Sequence, residues 1–225
     1  MAMAGFRLVI FDLDGTLIDS RPDIAAALNL ALGDHGLPAW SEPEIEVMIG
    51  DGARNLVERA MAGRQPSDRV DAVLARYQVH YAAHRAVRTR LYPGVLECLV
   101  ALDASPRVAR AIATNKPGAL ARAIASDLGL ASRVDLILGD GDVAHRKPDP
   151  DMLEVAMERL GADRSSTLYI GDGPVDVRAA SNAGVALCLV GWGYRREETE
   201  GAAADYRVER FAEVEEIVRR GRAML

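Results

Sequence analysis

The sequence predicts an α/β fold: a doubly wound parallel sheet with an inserted helical segment. Three observations predict it. Short apolar runs alternate with helical patterns from about residue 92 onward, the mark of strand–helix units and a parallel sheet. An earlier apolar run, Leu8-Val9-Ile10, leads directly into Phe11-Asp12-Leu13-Asp14-Gly15-Thr16-Leu17. Between these regions, residues 20–90 place apolar side chains at helical spacing and show no strand pattern.

Taken in order, the first strand is Leu8–Phe11, a bounded apolar run ended by the turn residue Gly15. Ile24, Ala27, Leu28 and Ala31 recur at helical spacing in the insert. Ser41-Glu42-Pro43-Glu44 is a capping-box pattern, and Asp51-Gly52 separates two helical pieces. Ser67 is placed to cap a long helix through about Ala86. Further strands are expected at 108–113, 134–138, 167–170 and 185–190, with helices near 94–103, 117–127, 150–160 and 175–182. Pro117 and Pro150 suit first helical turns. A short strand and a final helix follow from Tyr206. The expected domains are a core of residues 1–19 and 91–225 and a helical insert of residues 20–90. The chain crosses between them at roughly 17–20 and 88–92, close enough for the insert to rock as a lid.

Composition narrows the function. With 225 residues, 49% of them apolar, the chain can bury a substantial core. The net charge of −6 and the lack of a basic cluster argue against a nucleic-acid partner. No apolar stretch approaches the ~20 residues of a membrane span, and the N-terminus lacks a signal-peptide pattern, so a cytoplasmic protein without a membrane partner is expected. Cys98 and Cys188 lie far apart in apolar surroundings and read as core thiols. Of 27 basic residues only Lys116 and Lys147 are lysines; both fall in loop-like motifs, where a compact, mobile ammonium has a use that the planar Arg fork does not.

Four loops after four expected strands carry the chemistry: Asp12-x-Asp14-Gly-Thr16, Thr114-Asn115-Lys116, Lys147-Pro148-Asp149-Pro150, and Gly171-Asp172-Gly173-Pro174-Val175-Asp176. In a parallel sheet these ends share one edge, where ligands bind. Carboxylates gathered there repel by roughly 4 kcal/mol per pair at an effective dielectric of 20. A bound cation relieves this, and all-oxygen ligands suit Mg²⁺. Mg²⁺ and a lysine beside a carboxylate make an anion receptor with a built-in nucleophile, fitted to phosphoryl transfer. Asp12 is the candidate nucleophile, forming an aspartyl phosphate. Asp14 is the candidate acid and base. Asp12, Asp172 and the backbone carbonyl of Asp14 are candidate metal ligands. Thr114, Asn115 and nearby N–H groups would bind the phosphate oxygens, with Lys147 neutralising charge. Asp176 would orient Lys147 or a metal-bound water from behind. Singly, each signal has a plainer reading: a helix cap at Thr114-Asn115, a solvated Lys147, a turn at Gly171-Asp172, a first-turn acid at Asp176.

These four motifs, in this order, resemble the haloacid dehalogenase superfamily of phosphohydrolases almost end to end. The resemblance implies a Rossmann-like core with a mobile helical cap inserted between the first two motifs. Asp14, generally missing from the carbon–halogen enzymes, points to phosphate esters. Gly173 departs from the Ser or Thr often found there and offers no hydroxyl at that position. Further stretches, Ile49 through Ala60, Leu91-Tyr92-Pro93-Gly94-Val95, Gly139 through Val143, and Gly193-Tyr194, resemble the phosphoglycolate phosphatase branch. The implied activity is Mg²⁺-dependent hydrolysis of a small phosphorylated metabolite such as 2-phosphoglycolate, by a monomer or homodimer. Arg54 is a candidate to reach substrate from the cap. The alternatives are a sugar-phosphate phosphatase, a phosphomutase, and, of another class, a non-enzymatic phospho-acceptor domain. A cap without lysine argues against imine chemistry, while His35, His80 and His84 leave acid/base chemistry open.

Overall fold

The computed structural model describes residues 5–50, 52–62, 69–103, 108–194 and 196–221. They form two compact units, residues 1–18 with 91–225 and residues 19–90.

The first unit is a six-stranded sheet in which every pairing is parallel. Its strands are β1 (Leu8–Phe11), β4 (Ala109–Pro117), β5 (Leu136–Asp140), β6 (Thr167–Gly171), β7 (Ala186–Val190) and β8 (Tyr206–Val208). The short β2 (Ile18–Asp19) and β3 (Arg90–Leu91) pair with each other where the chain crosses between the units. The order β5-β4-β1-β6-β7-β8 runs outward from β1 to β5, then restarts at β6 on the other side of β1. The C-terminal end of β1 is therefore the switch point, where adjacent crossovers diverge and leave a crevice. All four residues of β1 are buried, which explains its continuous apolar run without alternation. Leu8 and Ile10 pack with Ala111, Tyr169, Leu153 and Met157 on one side of the sheet. α5 (Val95–Asp103), α6 (Gly118–Asp127), α7 (Asp151–Leu160), α8 (Pro174–Ala183), the single-turn α9 (Arg196–Thr199) and α10 (Phe211–Arg220) belong to this unit. The Cys98 and Cys188 thiols are buried and free.

The second unit holds α1 (Arg21–Asp34), α2 (Glu42–Glu46), α3 (Ala53–Met61) and α4 (Val70–Ala83). Ile24, Ala27, Leu28, Ala31 and Leu32 form the buried stripe of α1. α4 contributes Val73, Tyr77 and Tyr81, the two rings stacked at 5.6 Å. The buried Asp23 accepts hydrogen bonds from the N–H groups of Arg88 and Thr89 and from the Thr89 hydroxyl, tying the start of α1 to the returning chain.

Several boundaries differ from expectation, among them those of β5, which runs Leu136–Asp140 rather than over 134–138. β4 continues through Thr114-Asn115-Lys116, because after a register shift Pro117 pairs with Asp140. Pro117 and Pro150 therefore stand at the N-caps of α6 and α7, one residue before the first turn. α4 stops at Ala83 rather than near Ala86, and the chain leaves it to bring Arg88 and Thr89 onto Asp23. Asp51 and Ser67 lie outside the described residues; Gly52, at φ 90°, is the N-cap of α3. At α2 the Glu44 carboxylate accepts from both the Ser41 N–H (2.8 Å) and the Ser41 hydroxyl (2.6 Å).

Candidate active site

The site grows from the end of β1. The Asp12 N–H donates to the Ile170 carbonyl (2.8 Å), so Asp12 is still held on the sheet ladder. The chain then turns tightly: Thr16, Leu17 and Ile18 N–H groups all donate to the Leu13 carbonyl. Gly15 sits in this turn at φ 83°, and a side chain there would also strike the Asp172 carboxylate. The turn delivers the Thr16 hydroxyl to Asp172 Oδ1 (3.2 Å). The Tyr194 N–H donates to Asp172 Oδ2 (2.9 Å), an approach possible because Gly193 has no Cβ to collide with Asp172.

Lys147 enters from the loop between β5 and α7. Its buried ammonium meets three acceptors: Asp12 Oδ1 at 2.8 Å, Asp176 Oδ1 at 2.8 Å and the Tyr169 hydroxyl at 2.7 Å. The contacts with Asp176 and Tyr169 are hydrogen bonds, whereas that with Asp12 Oδ1 is an ion pair outside hydrogen-bond geometry. Asp176 is equally engaged. Its Oδ1 accepts from Lys147 and Tyr169, and its Oδ2 accepts from the N–H groups of Asp172 (3.1 Å) and Gly173 (3.0 Å). These four donors fill the acceptor positions of one carboxylate.

Burial sets the electrostatics. It pushes the Asp12 carboxyl up to about 7, against the pull of Lys147. It also raises Asp172 well above the usual carboxylate range, reinforced by the negative Asp176 and Asp12. Burial opposes ionisation of Asp176 too, but Lys147 and the hydrogen bonds prevail and hold it low. For Lys147, burial is outweighed by Asp12 and Asp176, which keep the ammonium charged.

Oxygens of Asp12, Asp172 and Asp176 come within 4.8 Å of one another. Two buried carboxylates and the largely buried Asp12, set against the ammonium of Lys147, leave excess negative charge, and the donors are all hard oxygens. That fits a divalent cation such as Mg²⁺. Because Asp176 is saturated by hydrogen bonds, Asp12 and Asp172 are the side chains suited to ligate it.

The remaining expected residues fall as follows. The Asp14 side chain turns to Lys116, whose Nζ lies 3.0 Å from its Oδ2. Thr114, also buried at this edge, accepts the Lys116 N–H with its hydroxyl (3.2 Å), inside β4 rather than at a helix cap. Asn115 donates to the Lys147 carbonyl (2.9 Å), joining β4 to the Lys147 loop, while its Oδ1 is buried without a partner. Arg54 belongs to the helical unit, on α3, where it pairs with Asp71 (2.7 Å) and Glu58 (3.7 Å). Sequence reasoning gave no role to Lys116, Tyr169 or the Tyr194 N–H. The scarcity of lysine pointed at Lys116; nothing separates Tyr169 from an ordinary aromatic of a buried strand.

A parallel sheet whose switch point gathers buried carboxylates around one ammonium defines an α/β enzyme with a centre for a cation and an anion. The chain belongs to the haloacid dehalogenase-like hydrolases, whose family model matches residues 9–190. It is 39% identical over 205 residues to a phosphoglycolate phosphatase of Rhodospirillum rubrum, covering 88% of this chain and 85% of that one. To an N-acetylmuramic acid 6-phosphate phosphatase of Pseudomonas putida it is 34% identical, covering 85% and 86%. A crystal structure of a predicted phosphoglycolate phosphatase from Haemophilus somnus superposes with a TM-score of 0.85 at 30% identity, covering 93% of this chain and 96% of that one.

Proposed function

We propose that this enzyme hydrolyses a small phosphate monoester, with 2-phosphoglycolate the leading substrate, through a phosphoryl group carried on Asp12. The observation that carries the reading is the Asp12–Lys147–Asp176 arrangement beside Asp172, at the switch point of a hydrolase fold. An Asp12 oxygen attacks phosphorus as the bond to the leaving oxygen breaks, and Asp14 gives that oxygen its proton. Asp14 then takes a proton from the water that attacks the same phosphorus, releasing inorganic phosphate and restoring Asp12. Thr114 and backbone N–H groups near the β4 end bind the non-bridging oxygens, and Lys147 offsets the charge that builds on them. Asn115 acts through its bond to the Lys147 loop. Mg²⁺, held by Asp12, Asp172 and the Asp14 carbonyl, would supply charge neutralisation at the phosphoryl group.

The substrate assignment rests on the names of the relatives at 36–39% identity. The relative named for N-acetylmuramic acid 6-phosphate supports a sugar phosphate as the second candidate. The helical unit serves as a lid, with Arg54 its candidate substrate contact, and favours small soluble esters. A panel of phosphate monoesters ranked by kcat/KM with Mg²⁺ tests this. 2-Phosphoglycolate should lead it. A sugar phosphate in first place would reassign the substrate, and efficient turnover of a folded phosphoprotein would contradict the lid.

A further inference from the structure

We infer that Tyr169 is a positioning residue for Lys147, holding its ammonium between Asp12 and Asp176. The inference rests on the phosphoryl-transfer reading above. Tyr169 lies in β6 with no exposed surface, and its hydroxyl is the neutral member of an otherwise charged group. It accepts from Lys147 Nζ (2.7 Å) and donates to Asp176 Oδ1 (2.6 Å). Nζ stands 5.5 Å from the centre of the same ring.

An ammonium on a flexible stem, between two carboxylates at 2.8 Å each, can slide toward either at little cost. The Tyr169 hydroxyl restricts this in two ways. It fixes the direction of the third N–H. It also donates a hydrogen bond to Asp176 Oδ1, so that oxygen demands less of Lys147. Without the hydroxyl, Asp176 loses a short bond and draws the ammonium toward itself. Lys147 then withdraws from Asp12, where phosphoryl charge develops. The loss should fall on the chemical step rather than on substrate binding.

Tyr169→Phe removes one oxygen and keeps the ring that packs in the sheet. Its kcat on a small phosphate monoester should fall about tenfold with KM held within about twofold, the pattern of an interaction used in the transition state. A second reading comes from the ammonium itself. The chain has only two lysines, so lysine-Nζ-labelled protein gives two ammonium resonances, and Lys147→Met assigns them. In wild type the Lys147 ammonium should exchange slowly with water and show through-space contact with the Tyr169 ring. In Tyr169→Phe it should shift and exchange faster. A Tyr169→Phe enzyme with wild-type kcat, even with a lowered melting temperature, overturns the inference, as does an unchanged Lys147 resonance. Retained turnover in Lys147→Met would instead sink the catalytic reading of Lys147, while the resonances still report whether Tyr169 positions it.

Discussion

Asp12 and Asp14, two residues apart, pair with different lysines. Asp12 faces Lys147 and the carboxylates of Asp172 and Asp176, whereas Asp14 faces Lys116. The division follows from the tight turn at Gly15, which swings the chain away from the β1 axis just after Asp12. Asp172 depends on small neighbours in the same way. Gly193 lets the Tyr194 N–H reach its Oδ2, and a methyl group at 193 would meet the Asp172 side chain. Gly193→Ala should therefore displace Asp172, weaken Mg²⁺ binding by at least about tenfold and destabilise the fold by ~1–3 kcal/mol, the usual cost of overpacking. Isothermal titration with Mg²⁺ checks the first expectation and denaturant melts the second; wild-type Mg²⁺ affinity would show that Asp172 is not so constrained.

Among the elements, those with a continuous apolar run were legible. β1 has the limits the sequence predicts, and β6, β7 and α5 to α8 match to within a residue or two. Each is bounded by Gly, Pro or an acidic turn that the sequence displays. β4 runs past its expected end because Pro117 pairs with Asp140 of β5 beyond a register shift that spans Thr114-Asn115-Lys116, a tertiary cause with no local signature. The two-residue strands β2 and β3 are too short to carry a sequence pattern. The acidic and basic members of the site were visible as motifs, since a buried charge needs a purpose and the four strand ends supply it. Tyr169 was invisible for the converse reason: its ring satisfies the core and only its hydroxyl serves the site. Gly173, the departure from Ser or Thr, leaves open space where a side chain would stand, with Asp176 Oδ2 the nearest atom at 3.8 Å. The fold does not demand glycine there.

At the scale of the whole molecule, the site is an electrostatic liability that a bound cation would correct. The folded state raises Asp12 from 3.8 to about 7 and also raises Asp172. A raised carboxyl binds its proton more tightly folded than unfolded. Its stabilising contribution is complete below the unfolded value and is lost as pH rises through the folded one. Metal-free protein should therefore melt at lower temperature at pH 8 than at pH 5, by about 2–4 °C per ~1 kcal/mol for a chain of this size. Mg²⁺ should restore more stability at pH 8 than at pH 5, because its ligands must be deprotonated. Melting curves with a chelator and with Mg²⁺ at both pH values measure this. A metal-free protein whose melting temperature rises from pH 5 to pH 8 would show that ionising these carboxyls is not the dominant cost.

The central claim is that phosphate passes through Asp12. Enzyme mixed with substrate and Mg²⁺, quenched in acid within one turnover and analysed by peptide mass, reads it directly. The account predicts the added mass of one phosphoryl group on the peptide containing Asp12, absent from Asp12→Asn, which should also be inactive with its fold intact. Turnover retained in Asp12→Asn, or a phosphoryl group found on another residue, would contradict it.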